Sequence, residues 1–128
     1  MKLNPDCIRD ILLDAEKVID FHTFYFYEKD QGSALSQNYS HEETIYHIRQ
    51  AKQSGLISIS PFYDSGDSVC ITDITPAGHE FLANIRKDTI WQKTKDTAAK
   101  IGSSSLSVLC QIASSVVSEI VKSQFNDH

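Results

Sequence analysis

"YSHEETIYHIRQAKQSGLI", residues Tyr39–Ile57, holds the signals that decide the fold. Ser40 and Glu43 form an S-x-x-E capping box, in which each side chain can satisfy the other residue's free backbone N–H. Ile45, Ile48 and Ala51 then recur at helical spacing, with Tyr46 and Lys52 at the margins of a narrow apolar face. Gly55 supplies the stop, because glycine takes the left-handed conformation at a helix end without a steric penalty. Leu56 and Ile57 lead into ISISPF, which alternates like a strand. The stretch predicts a helix over Ser40–Ser54 that runs into a strand.

Downstream, Tyr63-Asp64-Ser65-Gly66-Asp67-Ser68 is turn-rich, and Val69–Ile74 alternates again. Two short strands around an Asp/Gly-rich loop predict a β-hairpin. Thr75-Pro76 starts another helix as cap and first-turn proline, with Phe81, Leu82 and Ile85 on its buried side. Asp88 is positioned to cap a further helix with Ile90, Trp91, Thr94 and Ala98 on one face. Ile101-Gly102 and the following serines form a break. A last helix carries the apolar stripe Leu106, Leu109, Cys110, Ala113, Val116, Val117, Ile120 and Val121.

Upstream, Asn4, Pro5 and Asp6 have the chemistry of a helix start, and Ile8, Ile11, Leu12, Ala15, Val18 and Ile19 follow at helical spacing. Phe21–Tyr27, FHTFYFY, is aromatic on both alternating faces. It predicts a strand or extended segment buried on both sides, with Tyr25 or Tyr27 the partly exposed members. Glu28–Asn38 is polar, contains Gly32 and reads as a loop. The order of elements predicts an α+β fold: helices around a small antiparallel hairpin or sheet, with additional C-terminal helices.

With 128 residues the chain fits one principal domain. We expect that domain over residues 1–101, with residues 102–128 an amphipathic helix that either packs on it or lies in a dimer interface. The net charge of −5 opposes nucleic-acid binding, which depends on Lys and Arg neutralising phosphates. Three widely spaced cysteines, Cys7, Cys70 and Cys110, form no CxxC pair, so a disulfide framework and a zinc site are not expected. They read as free thiols in a reducing cytoplasm. The charged N-terminal residues do not read as a signal peptide, so none is expected, and the absence of 18 consecutive apolar residues predicts no membrane span.

Two local patterns resemble winged helix-turn-helix proteins. "IRQAKQSGLI" is similar to the passage from recognition helix into wing, and "ITDITPAGHEFL" is similar to the segment that follows the wing. A broader resemblance, carried by "DCIRDILLDAE", "YSHEETIYHIRQAKQSGLI" and above all "GHEFLANIRKDTIW" (Gly78–Trp91), is to domain-of-unknown-function family 2513, small bacterial and prophage proteins. That resemblance implies a winged-helix-like fold and a home on a phage or mobile element. It supplies no activity to carry over. A winged helix that reads DNA has three helices before the wing. Between Ile19 and Ser40 the second helix is either missing or one turn hidden in the loop.

No nucleophile–base or metal constellation is visible, so neither catalysis nor a cofactor or small-molecule substrate is expected. His22, His41, His47 and His79 lack ligand spacing; Glu43 and His47 read as a surface pair, and Asp73 and His79 as neighbours across a turn. The reading is a non-enzymatic binding or regulatory protein that acts through protein contacts, as a homodimer. The interface candidates are Leu106, Leu109, Ala113, Val116, Val117, Ile120 and Val121. The alternative is a DNA-binding transcriptional regulator using Tyr46, Arg49, Gln50 and Gln53. An acidic inhibitor of a host nucleic-acid-binding protein is a third possibility.

Overall fold

The computed structural model describes residues 1–103 and 105–126. Among these residues it forms an α+β chain of six α-helices and one three-stranded antiparallel sheet. The chain divides into two compact units, Met1–His79 and Glu80–His128. That division falls inside a helix, upstream of the boundary that the sequence suggested at residues 101 and 102.

The first unit starts with α1 (Pro5–Val18), whose cap Asn4 accepts from the Asp6 N–H at 3.1 Å. Cys7, Ile8, Ile11, Leu12 and Ala15 are its buried face. Val18 is exposed, because the helix ends there and Ile19 turns into extended backbone. Strand β1 (Tyr25–Glu28) follows, then α2 (Ala34–Asn38), α3 (His41–Gln53), β2 (Ile57–Ile59) and β3 (Ser68–Ile74). The sheet order is β1-β3-β2, with Tyr25 opposite Ile71 and Ile57 opposite Ile74. α1 packs against α2, α3 and β3, and this layer of helices on one sheet face encloses the core.

Helix α2 is the single hidden turn that the sequence left as one of two alternatives, within the polar stretch Glu28–Asn38 that otherwise read as loop. It is a single capped turn: the Ser33 hydroxyl accepts from the Ser36 N–H at 3.2 Å, and Leu35 is its one buried anchor. The reading of the aromatic run is corrected. β1 is not buried on both sides; Tyr25 and Tyr27 are the buried residues, while Phe21, Phe24 and Phe26 are exposed. The phenols reach polar partners inside: Tyr25 donates to Asp14 Oδ2 at 2.6 Å, and Tyr27 bonds His41 Nδ1 at 2.8 Å. A phenyl ring in those places would leave these partners unmatched.

Helix α3 has both halves of its capping box, and Gly55 follows its end at φ +77. Its buried face is Thr44, His47, Ile48 and Ala51, with Ile45 half-buried. The hairpin β2–β3 contains a bulge between Ser58 and Ile59, so β2 ends sooner than the alternation of ISISPF suggested. Thr75 closes the unit. Its N–H donates to the Leu56 carbonyl at 3.0 Å, its hydroxyl donates to the Gly55 carbonyl at 2.5 Å, and it accepts from the Gly78 N–H at 3.1 Å.

Helix α4 (Pro76–Ile85) crosses the division between the units. In the second unit, Phe81 meets Trp91 edge to face at 6.4 Å, and α5 (Asp88–Ile101) packs along α6 (Leu106–Asn126). Lys87, not Asp88, holds the cap position of α5, and Asp88 is the first helical residue. On α6, Leu106, Leu109, Ile112, Ala113 and Val116 are buried, whereas Ile120, Val121 and Phe125 are exposed. By length and composition alone, Leu106–Phe125 would suffice to cross a membrane, although no run of 18 apolar residues exists.

Candidate functional site

The side chains with recognition chemistry cluster around α3 and the hairpin. Arg49, Lys52 and Gln53 line a cleft of about 400 Å³ whose other wall is Ile59, Ser60, Pro61 and Phe62. Helical spacing places Arg49 and Gln53 one turn apart on the exposed side of α3, opposite the buried Ile48 and Ala51. The Arg49 guanidinium lies over the Phe62 ring, 4.5 Å from its centroid. Cation–π contact of this kind holds the charge against the hairpin while leaving its N–H groups free to donate.

Of the residues singled out for nucleic-acid contact, the structure brings Arg49 and Gln53 together in this cleft. Tyr46 and Gln50 are half-exposed outside its lining; Tyr46 stands edge-on to the His47 ring at 5.0 Å. The hairpin wall was missed by sequence reasoning. Its one signal is the Pro61-Phe62 pair directly after an alternating strand, where an aromatic with no strand partner remains to be placed.

The first turn of α3 has a different use. His41 bonds Tyr27 Oη through Nδ1 and Asp67 Oδ1 through Nε2, each at 2.8 Å. With His41 neutral, the Tyr27 hydroxyl donates to Nδ1 and Nε2–H donates to the carboxylate, so every group is matched. The His41 ring also stacks on Tyr27 at 5.7 Å. This chain ties β1, α3 and the hairpin tip together. The tip is therefore more than a solvated turn: Asp67 is bound to His41, and Asp64 accepts from the Ser68 hydroxyl at 3.2 Å.

His47 is fully buried, which corrects its reading as a surface partner of the Glu43 carboxylate. Its Nδ1–H donates to the Glu43 carbonyl at 2.7 Å, and its Nε2 accepts from the Asn4 N–H at 2.7 Å. A backbone N–H can only donate and a carbonyl can only accept, so the neutral Nδ1–H tautomer is the one that fits. His47 fastens the start of α1 to the middle of α3. His22 and His79 are exposed.

The thiols are poor nucleophiles. Burial, aided by the charges of Glu43 and Asp10, pushes Cys7 up to about 12, and burial with a smaller contribution from Glu80 pushes Cys110 up to about 11. Burial also raises Cys70. Nucleophilic and metal-binding cysteine is the thiolate, so these groups are not poised for either role. Among the described residues, no group of three His, Cys, Asp or Glu is placed to hold a metal ion.

Of the interface candidates on α6, Leu106, Leu109, Ala113 and Val116 are buried within the chain itself, Val117 is half-buried, and Ile120 and Val121 are exposed.

Comparison with known proteins gives a match over residues 2–105 to the family described as hypothetical protein (DUF2513). The chain belongs to that family. The family match covers α1 to α5 and ends just before α6. A relative from Haemophilus influenzae, described as an uncharacterized protein, is 31% identical over 126 residues, which span 94% of this chain and 99% of that protein. No solved structure matches the chain. The Gly-His-Glu-Phe-Leu segment of this chain falls at Gly78–Leu82, within the matched residues, where the structure needs a residue without a side chain at the start of α4.

Proposed function

We propose that the first unit is a winged-helix module that works through protein contacts, and that the chain pairs with a second copy through the end of α6. The order α1-β1-α2-α3-β2-β3, with the sheet arranged β1-β3-β2, supports the winged-helix reading. The one-turn α2 stands where a winged helix has its second helix, and the β2–β3 loop stands where it has its wing. The observation that carries the protein-contact reading is the charge of this unit. Residues 1–79 hold six Lys and Arg against twelve Asp and Glu, and α3 opens with Glu42 and Glu43. A phosphate backbone gains affinity from cations and loses it to carboxylates.

Pairing of α6 rests on Ile120, Val121 and Phe125, which are exposed beyond its buried first half. They are flanked by Glu119 and Lys122. An antiparallel twofold pairing centred on Ile120 and Val121 would set Glu119 of one copy beside Lys122 of the other, which is self-complementary.

A second reading, a DNA-binding regulator, is favoured by the cleft that gathers Arg49, Lys52 and Gln53 beside the hairpin. One experiment separates the two. Anisotropy of a random-sequence duplex pool at about 50 mM salt, where electrostatic binding is stronger than at physiological salt, should show no saturable binding. Saturable binding abolished by Arg49→Ala would decide for DNA. In light scattering, truncation after Val117 should convert a dimer into a monomer; an unchanged oligomer would remove α6 from the interface.

A further inference from the structure

Phe21, Phe24 and Phe26 are 93%, 45% and 61% exposed, in the stretch that the sequence most strongly suggested would be buried. Burying a phenylalanine stabilises a contact, and clustered exposed apolar side chains mark interaction surfaces. Their exposure follows from the backbone. Alternation in β1 sends Tyr25 and Tyr27 inward, so Phe24 and Phe26 emerge on the opposite face. Phe21 is displayed by a side-chain-closed turn: the Asp20 N–H donates to the Thr23 carbonyl at 3.1 Å, and the Asp20 carboxylate accepts from the His22 N–H at 2.8 Å. The His22 N–H, and after it the Thr23 hydroxyl, hold the Asp20 carboxyl below its ordinary value.

Phe21 and Phe24 form one wall of a cleft of about 470 Å³ between the end of α1, the α1–β1 turn and the end of β3. Its lining includes the carboxyl groups of Glu16, Asp20 and Asp73, together with His79, and contains no Lys or Arg. The apolar floor and acidic rim are properties of the same few residues. A second copy placed here would set carboxylates against carboxylates, and an anionic membrane surface would meet the same repulsion.

We infer that this cleft is a docking site for a peptide segment of a partner protein that carries Lys or Arg next to a large apolar side chain. The apolar side chain packs on Phe21 and Phe24, and the cation reaches Asp20 and Asp73 at the rim. The inference rests on the protein-contact reading of the first unit and gives that reading a partner chemistry.

The test uses the full chain, ¹⁵N-labelled, titrated with two amidated peptides: one alternating lysine and leucine, the other alternating glutamate and leucine. The lysine peptide should shift the amides of residues 20–24 and 72–74, and salt should weaken it. Phe24→Ser should reduce its affinity at least about tenfold, the factor equivalent to 1.4 kcal/mol. Phe21→Ser, at a position 93% exposed, should do likewise without altering the far-ultraviolet circular dichroism. Asp20→Asn with Asp73→Asn should remove the salt dependence. Equal binding of the glutamate peptide overturns the inference, as do shifts confined to other surfaces or Phe-dependent sedimentation with anionic vesicles. If neither peptide binds and duplex DNA is also not bound, this site is wrong and the protein-contact reading stands. If Arg49-dependent duplex binding appears, that reading fails whatever the cleft does.

Discussion

Replacing Gly78 with alanine tests the closest backbone approach described for the first unit. An added Cβ would lie 2.0 Å from the Leu56 carbonyl oxygen, 2.8 Å from Ile74 Cγ2 and 3.0 Å from the Leu56 carbonyl carbon. An ordinary carbon–oxygen contact is about 3.3 Å, so α4 must retreat from the α3–β2 connection by roughly 1.3 Å. The obstacle is backbone and has no rotamer to yield. It is also the acceptor of the Thr75 N–H, so the retreat strains the bond that starts α4. Helix propensity alone favours alanine over glycine by about 0.8–1 kcal/mol. Against it stand overpacking at the upper end of about 1–3 kcal/mol and a weakened hydrogen bond of about 1 kcal/mol. The expected outcome is a net loss of about 2–3 kcal/mol, seen as a urea midpoint lower by about 1–2 M in far-ultraviolet circular dichroism. Gly102→Ala is the comparison: its φ is +81 and nothing stands within 4 Å of an added Cβ. That variant loses about 1–2 kcal/mol through left-handed strain, and Gly102→Asn recovers part of it because asparagine tolerates this conformation. A Gly78→Ala protein as stable as the parent would refute the close approach and, with it, the physical reason offered for Gly in the Gly-His-Glu-Phe-Leu segment.

Two further outcomes are expected. His47→Ala removes the acceptor of the Asn4 N–H and opens a cavity at a fully buried position, for a loss of about 2–4 kcal/mol in urea unfolding. In the parent protein, long-range ¹⁵N–¹H spectra should show the His47 proton on Nδ1; a proton on Nε2 near neutral pH would contradict the hydrogen-bond assignment. At high pH the buried acids act together. Cys7 is raised from 9.0 to about 12 by burial first, and Tyr25 and Tyr39 are raised from 10.0 by burial and by their bonds to Asp14 and Asp10. Below pH 9 these groups are protonated in both folded and unfolded chains, and their contribution is fully present. Above it the unfolded chain releases protons first, so stability falls by about 1.4 kcal/mol per pH unit for Cys7, and faster once the tyrosines join above pH 10. Cys7→Ala should lessen the fall between pH 9 and 10, leaving the part contributed by Cys110 and Cys70, and an unchanged slope there would show that Cys7 is not among the groups responsible.

The parts of the fold that were legible in the sequence are those set by local chemistry. Asn4-Pro5, the Ser40–Glu43 box, Gly55 and Thr75 each act within a few residues of themselves, and each does what its type and spacing suggest. What was not legible depends on distant partners. α2 is one turn held by a serine cap and by Leu35, too short for any periodicity to register. His47 occupies a core position because Asn4, 43 residues away, supplies a donor. Asp88 looks like a cap, yet the backbone turns helical one residue earlier than capping by Asp88 requires. The stripe on α6 reads as continuous, but burial stops after Val116. The aromatic run is the clearest case. By hydrophobicity phenylalanine should be inside and tyrosine at the margin. The structure reverses this because half-buried Asp14 and His41 stand at the inward ends of Tyr25 and Tyr27 and pair with their hydroxyls.

That reversal bears on function. A phenol turned inward meets a carboxylate of its own chain, whereas Phe21, Phe24 and Phe26 stay exposed. On our proposal a partner segment covers Phe21 and Phe24. The charges lead the same way. A protein that binds duplex DNA through six to ten phosphate contacts has a salt slope approaching −0.9 per contact. The face built by α3 and the hairpin offers Arg49 and Lys52, with Arg49 already held over Phe62. Lys2, Arg9, Lys17 and Lys29 complete the cations of residues 1–79, and all four precede α2 in the chain. Two cations on that face would give a slope near −2, about what a weak, non-selective encounter shows, while Glu42 and Glu43 work against even that. On our proposal that face is therefore too poorly charged for DNA, and the Phe21–Phe24 cleft, with its carboxylates, is suited to a basic, apolar protein segment.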